Sequence, residues 1–338
     1  SVSDWSAADT GYRKLTTVPN VAATENRADM VQVSWSDIAG ETGYGIWRHT
    51  ANDSSAAGCI GSAAANATSY DDTGATAGVT YYYWVRATNS TSASMSDFSA
   101  SDSGMKMISE PTVPASNITF SDLASASYTV NWTRGNGDAV LVVARQGGAP
   151  AAPVDNTTYT ANAAFGSGGT TAAGSFVVYK GSGTSVNVTG LSAGTEYYFA
   201  VYEFNGSTTP NYLQAGAPVA SRTTLAAEPG TQASNIGISG PSEVSMSGFT
   251  WTDGNGAGRI LVAKAGSPVD AFPVDGTAYT AHTNFGSGNQ IGTGNYVVWV
   301  GSGQPERISS LARDTVYHFR LFEYNGSAAT INYNTNTA

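Results

Sequence analysis

An all-β chain of tandem sandwiches is expected from three properties of this sequence. The first is composition: of 338 residues, 39 are glycine, 41% are apolar and only 12% carry charge. Many short strands joined by tight turns use residues in this way, and a charged, disordered chain does not. The second is period-two alternation, as in Val31-Gln-Val-Ser-Trp35 and in Gly78 to Ala87, where Tyr81, Tyr83 and Val85 share one face and Tyr82, Trp84 and Arg86 the other. The third is internal repetition.

Two long copies of one domain, type B, run over 115–224 and 233–338. Both carry Ala-Ser-Asn-Ile (115 and 233), a strand tryptophan (Trp132, Trp251), Phe-Gly-Ser-Gly (165 and 285) and Gly-Ser-Gly (181 and 301). Both then read Glu-aromatic-Asn-Gly, at Glu203 and Glu323. A shorter relative, type A, occupies 19–107. Residues 1–14 read as the terminal strand of a further type A repeat, because Ser3-Asp-Trp-Ser6 and Asp9-Thr-Gly11 reappear as Ser96-Asp-Phe-Ser99 and Asp102-Ser-Gly104. Linkers at 106–114 and 223–231 are short and contain proline, so the expected assembly is a semi-stiff extended rod. Asn136-Gly137, Asn255-Gly256, Asn205-Gly206 and Asn325-Gly326 are expected to supply the positive φ angles of tight hairpins.

In type A, Trp35 on one strand, Tyr44 on the next and Tyr81 at the start of a late strand resemble the core tryptophan, strand-C tyrosine and tyrosine corner of a fibronectin type III domain. The wording from Ser69 to Gly104 is similar to the fibronectin-III-like repeats of large bacterial secreted and surface proteins. Type B shares the back half of that pattern, with Tyr197 and Tyr317 at the corner, and departs from it through an insertion spanning Pro153–Ala161 and Phe165–Gly174. The resemblance implies immunoglobulin-like sandwiches, enlarged in type B, and an extracellular or cell-surface, bacterial setting.

A formal charge of −10 leaves nothing to neutralise a run of phosphates or to bind an anionic membrane, and no apolar run is long enough to span one. The single cysteine, Cys59, excludes an internal disulfide framework and is expected to be a buried, inert thiol.

Catalysis needs a nucleophile, a base and oxyanion donors that converge. His49, His282 and His318 are scattered, with His318 expected on an outer strand face, and no metalloprotease or nucleophile-elbow motif occurs. Glu203 and Glu323 recur singly, whereas glycosidic chemistry needs two facing carboxylates, so an ion pair or turn contact is expected. Arg134-Gly-Asn-Gly-Asp138 and Asp253-Gly-Asn-Gly256 lack the further carboxylates of a calcium loop. No catalytic residue, metal or cofactor is therefore expected. Trp47, Tyr82, Trp84 and Trp299 are candidates for stacking on sugar rings, although cross-strand pairing that stabilises a sheet is the commoner reason for outward aromatics.

The second type B copy stops short of the strand that closes the first. Two readings follow: the chain is a window of a longer covalent array, or subunits join head to tail, with a strand around Val2, Trp5 and Ala7 completing a neighbour near Tyr333. Both make the chain a non-enzymatic extracellular stalk or filament subunit whose partners are itself or adjoining repeats. The alternative is a glycan-binding or adhesive accessory module of a larger secreted hydrolase or adhesin.

Overall fold

The computed structural model describes residues 14–91 and 93–336. Val2, Trp5 and Ala7 lie outside the described residues. Among the described residues, apart from one short 3-10 turn at Ala328–Thr330, the regular structure is entirely β.

The sheets occur in three pairs. In the first, β1 (Ala22–Ala23), β2 (Val31–Ser34) and β5 (Ser69–Asp72) form one antiparallel sheet, ordered β1-β2-β5. The other sheet contains β3 (Gly43–His49), β4 (Gly58–Ala64), β6 (Thr80–Asn89), β7 (Ser94–Met95) and β8 (Asp102–Met105), ordered β4-β3-β6 with β7 and β8 both on β6. Val31, Val33 and Trp35 meet Tyr44, Ile46, Tyr83 and Val85 between these sheets. This is the two-sheet arrangement expected of a fibronectin-III-like sandwich.

The second pair sets β14-β10-β9 against a larger sheet. The small sheet comprises β9 (Ser116–Ser121), β10 (Tyr128–Thr133) and β14 (Ser185–Val188). The large one is β12 (Thr170–Ala172), β13 (Ser175–Gly181), β11 (Ala139–Gln146), β15 (Glu196–Asn205) and β16 (Asn211–Tyr212), with β17 (Val219–Thr223) also on β15. The third pair repeats it with β18 (Ser234–Pro241), β19 (Ser245–Thr252) and β22 (Arg307–Ser309) in one sheet. Its other sheet is β21-β20-β23-β24, from β20 (Gly258–Ala265), β21 (Asn295–Gly301), β23 (Tyr317–Asn325) and β24 (Asn332–Tyr333).

The insertion has a physical purpose. In the third sandwich, Leu261 and Ala263 face the core between the sheets, while Ile260 and Val262 face a second apolar layer with Val269, Ile291 and Phe322. Strand β20 is thus covered on both sides, which is why it reads as a continuous apolar run rather than an alternating one. Phe165 and Phe285 anchor the two copies of the insertion edge-on against Tyr197 and Tyr317, with centroids 4.9 and 5.0 Å apart.

By contacts the chain divides into two compact units. One comprises the described residues up to Pro111 with Val154–Thr158 and Phe204–Tyr212; the other comprises Thr112–Pro153, Tyr159–Glu203 and the described residues from Leu213 onward.

Several expectations change. Cys59 is exposed: on edge strand β4 the alternation turns Ile60 toward the core and Cys59 away from it. Trp84 is on the outer face but only 4% exposed. The tyrosine corner holds in type B, where the Tyr197 and Tyr317 hydroxyls accept the N–H groups of Ser192 (3.0 Å) and Ala312 (2.9 Å). In type A, Tyr81 instead lies beneath the Arg48 guanidinium, 4.3 Å from ring centroid to carbon.

The repeated Ser-Asp-aromatic-Ser motif acquires a role. The Ser96 and Ser99 hydroxyls accept the N–H groups of Ala87 (3.0 Å) and Val85 (2.9 Å), continuing the edge of β6. Phe98 then packs edge-on against Trp47 at 5.3 Å and beneath Arg86.

Candidate functional site: asparagine clamps on the linkers

Among the described residues no group of three or more His, Cys, Asp or Glu side chains is placed to hold a metal. The polar chemistry that recurs between the type B copies lies where each copy meets the linker before it.

The construction starts at a buried glutamate. Glu203 and Glu323 are both completely buried. Glu203 accepts from the Gly135 and Gly137 amides at 2.6 and 3.1 Å and from Arg134 Nε and Nη2 at 2.9 Å each. Glu323 accepts from the Gly254 and Gly256 amides at 2.8 and 3.0 Å and from Arg259 Nε at 2.7 Å. A buried carboxylate is tolerable because charged and dipolar donors surround it. The carboxylate beside Arg134 also holds that guanidinium above its ordinary pKa.

The loop gripped by the carboxylate in turn grips the linker. Asn136 Oδ1 accepts the Thr112 and Val113 amides at 3.0 and 2.8 Å, and Asn255 Oδ1 accepts the Thr231 amide at 2.8 Å. Neither Asn136-Gly137 nor Asn255-Gly256 has positive φ. The hairpin expectation is therefore wrong at these two places: the segments connect strands of different sheets, and close backbone approach is what requires glycine. A Cβ on Gly135 would stand 1.9 Å from the Val113 carbonyl oxygen, and one on Gly254 2.2 Å from that of Thr231. At Asn205-Gly206 and Asn325-Gly326 only the glycines have positive φ, at +85° and +79°.

Those latter asparagines form a further clamp. In the first unit, Asn205 and Asn211 donate from Nδ2 to the carbonyls of Ser109 (2.9 Å) and Ile108 (2.6 Å). In the second unit, Asn325 and Asn332 donate to Ala227 (2.8 Å) and Ala226 (2.7 Å), and Asn334 to Pro229 (2.8 Å). The Ala226 amide also bonds the Thr330 carbonyl at 2.8 Å. A linker whose prolines and extended backbone cannot satisfy their own carbonyls receives donors from carboxamides fixed on the sheet edge. In the sequence the signal for these clamps is the repeated Asn-Gly pair, which by itself does not distinguish a linker contact from a tight turn.

The other candidates are placed differently. Tyr333 is 3% exposed. Its amide bonds Asp275 at 2.7 Å and its hydroxyl donates to the Thr277 carbonyl at 3.0 Å, so it serves its own sandwich rather than a free edge. Trp299 packs against core Trp251 at 5.6 Å. Trp47 and Tyr82 are half-buried beside Phe98 and Trp84 respectively. Trp84, being covered, presents no open ring face. His318 is half-buried on β23, opposite Lys264.

No protein-family model matches the chain, and no curated protein matches it by sequence. Solved structures of fibronectin type III arrays are similar. The FN1–FN3 domains of chicken CNTN1 share 12% identity over 96% of this chain and 97% of theirs, with a TM-score of 0.34. A two-domain fibronectin type III segment of chicken tenascin shares 19% identity over 61% of this chain and 99% of its own, with a TM-score of 0.34. An Fn3-like protein from Clostridium thermocellum shares 21% identity over 28% of this chain and 94% of its own, with a TM-score of 0.25.

Proposed function

We propose that the chain is a non-enzymatic structural repeat protein, a stalk or filament element of a bacterial secreted or surface assembly, in which each type B sandwich fixes the linker ahead of it. The observation that carries this reading is the recurrence of the clamp: Asn325 and Asn332 on 226–227 repeat what Asn205 and Asn211 do on 108–109. A flexible tether between binding modules has no use for carboxamides dedicated to its carbonyls, whereas a spacer that must transmit direction does. End-to-end joining, by covalent continuation or by strand exchange, extends the same logic. The glycan-binding alternative gains nothing from covered Trp84.

Limited proteolysis tests the reading. The linker at 223–231 is expected to resist cleavage in the native protein and to become the first site cut when Asn325 and Asn332 are both replaced by alanine, with the sandwiches intact by circular dichroism. Equal cleavage of the two proteins would overturn it. Electron microscopy of native material, seeking regular filaments, addresses the joining.

A further inference from the structure

In the third sandwich the second apolar layer ends in a polar cluster. Along β20 the face that carries Ile260 and Val262 next presents Lys264, whose side chain is only 15% exposed. Its partner across the ladder on β21 is Asn295, which is completely buried. Asp270, one residue after buried Val269, bonds both. Its Oδ1 accepts from Lys264 Nζ at 2.6 Å and from Asn295 Nδ2 at 2.9 Å, and its Oδ2 accepts from Lys264 Nζ at 2.6 Å. The Asp270 amide in turn donates to Asn295 Oδ1 at 3.3 Å.

These contacts gather the parts of an acyl transfer around one carboxamide. Lys264 is an amine nucleophile beside a carboxylate base, and the same carboxylate oxygen holds the nitrogen that would leave. A backbone N–H lies on the oxygen that would gain negative charge. The second sandwich keeps the frame without the chemistry. Arg145 stands opposite Ser175 across β11 and β13, and the Ala151 amide donates to Ser175 Oγ at 3.0 Å, as the Asp270 amide does to Asn295. Lysine, aspartate and asparagine thus stand together at three positions that the same fold fills, in its other copy, with arginine, alanine and serine, a set that cannot react.

We propose that Lys264 and Asn295 join in an intramolecular isopeptide bond, with Asp270 as the acid and base. Lys264 passes a proton to Asp270, and the free amine attacks Asn295 Cγ. The Nζ–Cγ amide forms and the Cγ–Nδ2 bond breaks. The two protons lost by the lysine ammonium are relayed through Asp270 to Nδ2, which departs as ammonium ion, and Asp270 ends ionised as it began. No oxidant or second reactant is consumed. The Asp270 side chain is 65% exposed, which gives the ammonium a way out to water. The bond closes residues 264–295, the insertion among them, into a covalent ring, so that β20 and β21 cannot unzip. Like a disulfide, it stabilises by restricting the unfolded chain. This cross-link is separate from the linker clamps, so its failure leaves the proteolysis result for the linkers unaffected.

The test is intact-mass spectrometry of the whole chain under denaturing conditions. The expected mass is that of the sequence less one ammonia. A tryptic digest should yield 260–307 as a single looped peptide, uncut at Lys264 and light by one ammonia, and cleavage within the loop by chymotrypsin should leave its two ends joined. Lys264→Arg and, separately, Asp270→Ala install the residues that the second sandwich carries, so the fold is retained. Each is expected to return the chain to its full sequence mass. Full mass in the unaltered chain after prolonged incubation would overturn the proposal. So would loss of ammonia outside 260–307, as from a succinimide at one of the Asn-Gly pairs, or a cross-link that persists in Asp270→Ala.

Discussion

Arg134 and Arg259 stand at non-corresponding positions of two repeated sandwiches, yet their guanidinium groups do the same work. Arg134 follows β10, and its counterpart in the third sandwich is Asp253; Arg259 lies on β20, where the second sandwich has Val140. Each donates Nε to the buried glutamate of its own copy, and each donates Nη1 to the carbonyl of a Gly-Ser-Gly turn, Ser182 at 2.9 Å or Ser302 at 2.8 Å. The conserved quantity is a cation at one point in space, reached from either of two backbone positions.

That relationship predicts a rescue. Arg134→Asp alone leaves Glu203 buried without its cation, which should cost about 3–5 kcal/mol. Adding Val140→Arg should recover a large part of the loss by recreating the third sandwich's arrangement. Denaturant unfolding of the two variants measures this, and additive losses would refute it.

Gly135→Ala and Gly254→Ala test the claim that these glycines exist for close approach. The added methyl meets a linker carbonyl at 1.9 or 2.2 Å, so the loop and linker must separate. Loss of linker protection in hydrogen exchange is expected in both variants. Alanine at Gly58, whose φ is not positive and where no atom beyond its chain neighbours lies within 4 Å of the added carbon, should leave the linkers unchanged.

Stability should fall in alkali. Burial, assisted by the bond to Asp37, pushes the Tyr44 phenol up to about 12 from 10.0. Burial likewise raises Tyr83, Tyr128 and Tyr333. A group that keeps its proton longer when folded stabilises fully below its unfolded pKa and loses that contribution as pH rises through the folded value. The denaturation midpoint should therefore be flat toward pH 10 and fall between about 10 and 12, and Tyr44→Phe should soften the fall.

Cys59, exposed on β4, should react with one equivalent of an aromatic disulfide reagent without denaturant. A thiol that titrates only after unfolding would contradict its placement.

Trp84→Ala should destabilise the first sandwich, by roughly 3–5 kcal/mol for a buried tryptophan, because the ring is covered rather than offered to a ligand. Thermal unfolding unchanged from wild type would restore the stacking alternative.

The sequence by itself determined the all-β class, the repeated sandwiches, the alternating faces of β2 and β6, and the type B tyrosine corners, because alternation and motif spacing are local and are written along one strand at a time. Only the tertiary structure decided what the polar repeats are for. That Glu203 meets Arg134 while Glu323 meets Arg259, that Asn136 and Asn255 hold linkers rather than hairpins, and that Cys59 faces outward while Trp84 is covered all depend on which residues distant in sequence share an edge. Hydrogen-bond partners across such edges are set by packing of whole sheets, and no period along the chain records them.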